Sequence, residues 1–452
     1  MNSSRTQSSR NPAWFWKTGI IWIAISLIFS LTTGCGVDLT GWLQSKTATP
    51  TAPAISQTAT PQPTDPTASV TATPSGPQVL EIWVPPQFDP TSGSSGAEKL
   101  RNRLTAFETQ NPDFKVRVRV KAASGPGGLM ESLSAASAAA PAVLPALVAL
   151  SRSDLETAAL KGLVFSLDGL TRIVDDTDWY AYARQLALIQ GSAFGLPFAG
   201  DAMLLLYRPA KLPTAPLDWP ALIKANLPTA FAAADGQALT TLELYLSAGG
   251  QVKDAQGRPT LQADTLAQVL KILDEGVKAG VFPNWLSQYQ TDGQAWQAYR
   301  EQRTDLLITW SSYYLTDLPA DTAAAPLPSL GDKPVTLATG WIWALSDPLP
   351  ERRAASIRLA EFLVDSEFLA QWSADAGYLP TRPSALTAWS NAGLRGLFSP
   401  IALSAQVRPS NDLLLSLGPI LEDATLQIIK QQGDPVQIAQ AAAERLAVSP
   451  SK

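Results

Sequence analysis

The sequence predicts an α/β protein folded as two lobes behind an exported N-terminus, and three observations lead there. The chain has 452 residues, 46% hydrophobic and 16% charged, which is too long for one compact core and apolar enough for two. Strand-like and helix-like segments alternate from residue 79 onwards, the order that builds parallel sheet. The stretch Gly191 to Arg208, GSAFGLPFAGDAMLLLYR, passes from a turn-rich half through Asp201 into a strand-like run ending at Tyr207. We read it as the chain crossing from one lobe to the other.

Composition removes most chemistry. There is no histidine and a single cysteine, so Ser-His-Asp and Cys-His catalysis, histidine-based zinc sites, thiolate clusters and an intramolecular disulfide are all excluded. No cofactor or metal site is expected. Acidic residues outnumber basic ones by 39 to 34, which argues against nucleic acid as a partner.

The N-terminus accounts for the cysteine. Arg5, Arg10 and Lys17 precede an apolar run from Gly19 to about Leu31 that stops at Thr32-Thr33-Gly34-Cys35, the layout of a secretory signal. A membrane-spanning helix needs about 20 apolar residues, so residues 1–34 are read as a cleaved signal peptide. From Cys35 to Gln78 the chain is dominated by Thr, Ala, Pro, Ser and Gln, with seven prolines between 50 and 77. Proline fixes φ and removes a donor, so this segment reads as an extended, solvated tether.

The folded part begins at Val79 and continues to 452. Val79 to Val84 is a short β-rich run, followed by a Pro, Ser and Gly loop from Pro85 to Gly96. Leu100, Leu104 and Phe107 mark one face of a helix that Asn111-Pro112 ends. Val116, Val118 and Val120 alternate with Arg117, Arg119 and Lys121, the period of a half-exposed strand whose basic face guards a sheet edge. Leu129 to Ala140 is expected as a helix and Ala146 to Leu150 as a buried strand. Ser153 and Glu156 have capping-box spacing for the next helix, with Gly162 at its end. That leaves Ser151 and Arg152 at the carboxyl end of the strand, where ligands bind in α/β sheets.

Taken in order, LEIWVP, LTAFETQNPDFKVRVRV, ALVALSRSDLETAALKGLVFSLDGL and AFGLPFAGDAMLLLYR resemble the extracellular solute-binding proteins of ABC importers, specifically the sugar-binding, maltose-binding-protein-like group (family 1). The resemblance continues through LDWPAL at 217–222, the segment from Tyr245 to Gly250, an amphipathic helix from Asp264 to Gly280, WQAYREQRTDLLITW, TLATGWIWALS, a helix near Glu351 to Trp372, and GYLPTR at 377–382. The residues before Cys35 are similar to a bacterial lipobox, with Leu31 one place earlier than the family's usual leucine. This implies a diacylglyceryl-modified Cys35 holding the protein at a membrane.

The resemblance implies a type II periplasmic-binding-protein-like fold with the ligand in a cleft between discontinuous lobes. One lobe would comprise about 79–200 and 331–378, the other about 201–330 and 379–452. It implies a monomer that captures a sugar and hands it to permease subunits, making and breaking no bond. A surface-anchored glycoside hydrolase using paired carboxylates, which needs neither histidine nor metal, is the alternative from another class. A ferric-binding protein of the same fold, with Tyr313-Tyr314 as phenolate ligands, is a third.

A sugar site needs flat aromatic faces for the C–H faces of a pyranose and fixed polar groups for its hydroxyls. Among 14 tryptophans, Trp310 follows an apolar strand where family members place a stacking aromatic, and packing in the hinge is its other reading. Trp341 follows Gly340 on a family strand that faces the cleft. Trp343 shares its face, and a core role for one of the two is expected. Asp201 matches a ligand-facing carboxylate of the family, or else caps a turn beside Gly200. Tyr378 and Arg382 close on the ligand from the returning GYLPTR segment, unless Arg382 pairs with a structural acid. Tyr313 lies near Trp310. Trp83, Gln87, Ser151 and Arg152 complete the candidates because they sit at predicted strand ends.

Overall fold

The computed structural model of the protein describes residues 76–331 and 334–448; the signal peptide, Cys35 and almost all of the tether lie outside them. Strand β1 (Gln78–Val84) opens the fold, and Pro85 ends it. A single 3₁₀ turn, Pro86–Phe88, then buries Phe88. Helix α1 (Ser95–Gln110) starts where the Ser94 hydroxyl accepts the Ala97 amide at 3.1 Å, and it buries Leu100, Leu104 and Phe107 on one face. Strand β2 (Phe114–Val120) runs parallel to β1 and forms the sheet edge. Its Arg117 and Arg119 reach back to Glu81 at 2.6 and 2.9 Å, so the charges that guard the edge also pair across it.

Helix α2 (Leu129–Ala139) leads to β3 (Leu147–Ser151), parallel to β1. Helix α3 (Arg152–Leu160) follows at once, and here the expected capping box is corrected. The cap is Ser151, whose hydroxyl accepts the Asp154 amide at 3.2 Å, and Glu156 instead accepts the Asn411 amide at 2.9 Å. Helix α4 (Ala181–Ala187) and the small hairpin of β4 (Leu188–Ile189) and β5 (Ser192–Ala193) bring the chain to β6 (Gly195–Tyr207).

Twelve of the thirteen residues of β6 are buried, the near-continuous apolar run of a strand covered on both faces. After it come α5 (Trp219–Ala225), β7 (Thr229–Ala230), α6 (Leu239–Ser247), the amphipathic α7 (Ala263–Lys278), α8 (Asp292–Arg300), β8 (Leu306–Trp310), α9 (Ser311–Asp317), β9 (Ala323–Ala325) and β10 (Thr336–Leu345). The helix expected near Glu351 to Trp372 is two helices, α10 (Pro350–Leu363) and α11 (Ser366–Ala376), because Asp365 caps the Phe368 amide and starts a new one. Helices α12 (Pro383–Thr387) and α13 (Ala392–Ser404), strand β11 (Ala405–Val407), and helices α14 (Asn411–Ile429) and α15 (Pro435–Val448) complete the chain.

Among the described residues the main sheet runs β2-β1-β3-β10-β6-β8-β7, with β11 beside β10 and β9 beside β6. It is parallel at its two ends and between β10 and β11. Strand β10 lies antiparallel to β3 and to β6, and β6 antiparallel to β8. The first half of β6, from Gly195 to Ala202, pairs with β10, and the second, from Met203 to Tyr207, pairs with β8 and β9. One strand thus carries the sheets of both lobes. A third segment ties in at the same point, where Gly200 and Leu379 exchange amide-to-carbonyl bonds of 2.8 and 2.9 Å. Gly200 has a reason to be glycine, since a Cβ there would overlap the Tyr182 hydroxyl.

Two predictions follow from this packing. Gly200→Val forces Tyr182 or β6 to move and should cost about 1–3 kcal/mol, the usual range for overpacking, read as a lowered denaturation midpoint. The second concerns Glu243 of α6, which is 2% exposed and accepts the Leu337 amide at 2.6 Å through Oε2, while Oε1 has no hydrogen-bond partner among the described residues. Burial pushes its carboxyl up to about 8. The unfolded chain therefore releases this proton at lower pH than the folded one, so folding stability should fall as pH rises from about 5 to 8. Urea titrations at the two pH values should show a smaller drop in Glu243→Gln.

Candidate ligand-binding site

Helix α8 begins with a capping box. The Thr291 side chain receives the Gln294 amide while the Gln294 side chain receives the Thr291 amide. This fixes the phase of the helix so that Asp292 and Trp296, one turn apart, share a face. Helix α9 starts directly after β8, and Tyr313 in its first turn lies 5.7 Å from the Trp296 ring, tilted by 46°. Trp296, Ser312, Tyr313, Thr316 and Asp317 form one side of a cavity of ≈ 330 Å³, and Tyr378, arriving from beyond α11, forms the other.

Tyr378 is held from the first sheet. Its ring lies 5.4 Å from Phe88, which also meets Trp341 edge-on at 5.3 Å. Burial and then the Asp201 charge push the pKa of the Tyr378 hydroxyl well above the usual phenol value, and the side chains of Gln87 and Trp341 near it act against that rise. Trp341 stands opposite Ser151 in the β3–β10 register and opposite Ala199 in β6. Immediately after it the β6–β10 register shifts by a bulge, the device that re-aims side chains along a strand. Trp341 is half-buried, whereas Trp343 is 1% exposed and stacks on Phe198.

Asp201 is 8% exposed and lies behind the cavity wall. One oxygen accepts the Ser311 hydroxyl at 2.7 Å and the Ser312 amide at 2.9 Å, and the other accepts the Ser312 hydroxyl at 2.6 Å. Burial nevertheless pushes it up to about 6. It fastens the start of α9 to β6 and orients Ser312, which lines the cavity. Trp310 closes β8 and donates its indole N–H to Asp292 at 3.1 Å. Burial first, and then the Asp235 charge, push Asp292 up to about 6. Tyr313 is pushed up to about 12 by burial and by Asp292.

A second polar group surrounds the end of β3. The Ser151 hydroxyl meets Asp154 at 2.9 Å, and Arg152 reaches the Leu186 carbonyl at 3.4 Å. Arg408, 6% exposed, donates to Asn411 at 2.8 Å and feels the charges of Glu156, Arg152, Asp154 and Asp235. The sequence-predicted residues Gln87, Trp341, Tyr378 and Tyr313 thus converge, Trp310 and Asp201 stand directly behind them, and Ser151 and Arg152 belong to this neighbouring group.

Trp83 and Arg382 line no part of the cavity. Trp83 is 3% exposed, donates to Glu81 at 2.8 Å and carries the Lys121 ammonium 4.4 Å above its ring. Arg382 is 4% exposed, donates to Val364 O and to Asp176 at 2.8 and 2.9 Å, and lies 4.0 Å over Trp179. Sequence reasoning missed Asp292 and Trp296, although the T-x-x-Q capping box at 291–294 was there to place them on one helical face. Tyr313 and Tyr314 diverge, one towards Trp296 and the other towards Tyr207, and among the described residues no group of three or more His, Cys, Asp or Glu is placed to hold a metal ion.

A family model described as bacterial extracellular solute-binding protein matches residues 102–394. No curated protein sequence matches the chain. Among solved structures, the cyclic α-maltosyl-1,6-maltose binding protein from Arthrobacter globiformis is 16% identical, with a TM-score of 0.67 over 82% of this chain and 98% of that one. Maltose-bound MalE3 of T. maritima is 18% identical, with a TM-score of 0.62 over 82% and 99%. UgpB from Mycobacterium tuberculosis, in complex with glycerophosphocholine, is 17% identical, with a TM-score of 0.63 over 83% and 98%. These TM-scores show a shared two-lobe, type II binding-protein fold. With the family match spanning more than half its length, the chain belongs to the bacterial extracellular solute-binding proteins.

Proposed function

We propose that this protein captures a carbohydrate by closure of its two lobes and delivers it to the permease of an ABC importer. The observation that carries the reading is the cavity between Trp296 and Tyr313 on one side and Tyr378 on the other. Its rings match the C–H faces of a pyranose, and the Tyr378 hydroxyl, kept protonated by burial, can donate to a sugar oxygen. The ligands named for the solved relatives, maltose and a cyclic maltosyl-maltose among them, support the same class.

The sequence resemblance supports lobes of about 79–200 with 331–378 and about 201–330 with 379–452, and so does the change of partner within β6 after Ala202. Family membership supports an extracytoplasmic location. The lipobox-like approach to Cys35 supports a lipid anchor, and the protein acts as a monomer tethered by residues 35–78. Among the described residues no helix is long and apolar enough to cross a membrane. Hydrolysis is not favoured, because among the described residues Asp317 is the one carboxylate that lines the cavity, while Asp201 and Asp292 do not line it. Closure follows from differential contact, since a ligand touching walls from both lobes favours the state that brings them together.

A thermal-shift screen of the mature chain against mono- and oligosaccharides, polyols, amino acids and metal ions tests the reading; stabilisation by a sugar is expected, and stabilisation only by another class would refute it. With the responding sugar, Trp296→Ala and Tyr378→Ala should each weaken binding by at least tenfold in calorimetry. Asp201→Asn keeps one acceptor for α9 and loses the other, so it should lower stability by about 1–2 kcal/mol and weaken affinity less than either aromatic change.

A further inference from the structure

Half-buried Ser312 lines the cavity, and its hydroxyl is engaged by Asp201. The hydroxyl donates to Asp201 Oδ2 at 2.6 Å, while the Ser312 amide donates to Oδ1 at 2.9 Å. The neighbouring Ser311 hydroxyl receives the Ala202 amide at 3.1 Å and gives its own hydrogen to Oδ1 at 2.7 Å. Both donors on Oδ1 are therefore fixed in direction. One is a backbone N–H, and the other is a hydroxyl whose lone pair is held by a second backbone N–H. The donor on Oδ2 has no such restraint, because a hydroxyl hydrogen rotates to suit its partners.

While Asp201 is ionised, the Ser312 hydrogen points at the carboxylate and Oγ offers the cavity only its lone pairs. It accepts from a ligand hydroxyl and cannot donate to one. A proton taken up by Asp201 settles on Oδ2, since the two donors on Oδ1 cannot reverse. Oδ2–H then donates to Ser312 Oγ, and the Ser312 hydrogen turns into the cavity. We infer that Ser312 is a specificity-determining residue of the site and that Asp201 sets its polarity, an acceptor beside the ionised carboxylate and a donor beside the protonated one. This rests on the carbohydrate reading above and adds to it the hydrogen-bond sense required of one ligand group. Burial pushes Asp201 up to about 6, so the exchange is centred there. The titratable groups facing Asp201 come from four other segments: Tyr182 of α4, Asp292 of α8, Tyr313 of α9, and Tyr378 beyond α11. None of these four is a base, and Asp292 also feels Asp235. A ligand group that only accepts prefers the protonated site, so its affinity rises as pH falls through about 6.

The test is isothermal calorimetry on the mature chain at pH 5.0 and 7.5 with glucose, galactose, mannose, xylose and maltose. It continues with the monodeoxyfluoro analogues of the sugar that binds, since fluorine accepts weakly and never donates. At pH 7.5 one analogue should bind about tenfold or more weakly than its parent, and at pH 5.0 that loss should be at least threefold smaller. In Ser312→Ala the same loss should be equal at the two pH values to within about twofold. Asp201→Asn turns an N–H towards Ser312 and so copies the protonated acid; its loss at pH 7.5 should match that of the native protein at pH 5.0. This second variant decides the matter if Ser312→Ala fails to fold by circular dichroism. A loss that no analogue shows to depend on pH, a pH-dependent loss that persists in folded Ser312→Ala, or an Asp201→Asn loss unchanged from the native value at pH 7.5 overturns the polarity switch and leaves the carbohydrate reading in place. Absence of binding by all five sugars overturns both.

Discussion

A single strand has to satisfy two sheets. Strand β6 gives its first eight residues to β10 and its last five to β8 and β9, and the change of partner leaves backbone and side-chain groups at residues 200–202 to be satisfied by something other than a regular ladder. Two segments supply them. Leu379 pairs with Gly200, Ser311 receives the Ala202 amide at 3.1 Å, and the first turn of α9 surrounds the Asp201 carboxylate. Buried polar groups left unpaired cost about 1–3 kcal/mol each, so this junction constrains the position of α9 and of the 377–382 segment together. Those are the two segments that carry Tyr313 and Tyr378.

The cavity walls inherit their positions from that junction. Tyr313 and Ser312 follow β8 and α9, which are anchored to the second half of β6; Tyr378 and Trp341 follow Leu379 and β10, which are anchored to the first half. A rotation of one half against the other therefore changes the Tyr313–Tyr378 separation directly, without unpacking either sheet. Such a motion is a hinge in which a few residues absorb the change in φ and ψ. Phe88 supports the first-sheet wall from beneath, with four aromatic rings around it, Phe198, Trp341, Trp372 and Tyr378, at 5.0–5.8 Å. That packing makes Trp341 and Tyr378 parts of the core as much as of the cleft.

Much of this is legible in the sequence, and the exceptions have physical causes. The strands and helices up to residue 160 follow from apolar periodicity, and the crossing at 191–208 follows from one long apolar run with a lone acid in it. The mixed sheet was not legible, since strand direction depends on which distant segment pairs with β6, and periodicity carries no information on that. The break between α10 and α11 was missed because Asp365 inside an apolar pattern reads equally well as an exposed helix residue or as a cap. Among site residues, position in a family pattern pointed to Tyr378, which lines the cavity together with Tyr313, and to Trp341, Trp310 and Asp201, which do not line it. Strand-end reasoning also proposed Trp83, which the structure buries under Lys121. Arg382 resolves in favour of its other reading, pairing with the acids at 176 and 178.

Asp201 shows why a carboxylate is needed at the junction even though it is costly there. Three donors, the Ser311 and Ser312 hydroxyls and the Ser312 amide, converge on it. An ionised carboxylate is the only side chain that accepts at both termini and donates at neither. An asparagine would present N–H groups to one of those hydroxyls. The environment opposes the charge, which is why the carboxyl rises to about 6 in spite of its hydrogen bonds, and the acids at 201 and 292 both feel that opposition. The balance is local. Burial raises the energy of the ion, and the α9 donors lower it only while the helix start remains in place. The ionised Asp201 therefore holds Ser312 and Tyr313 in register with β6.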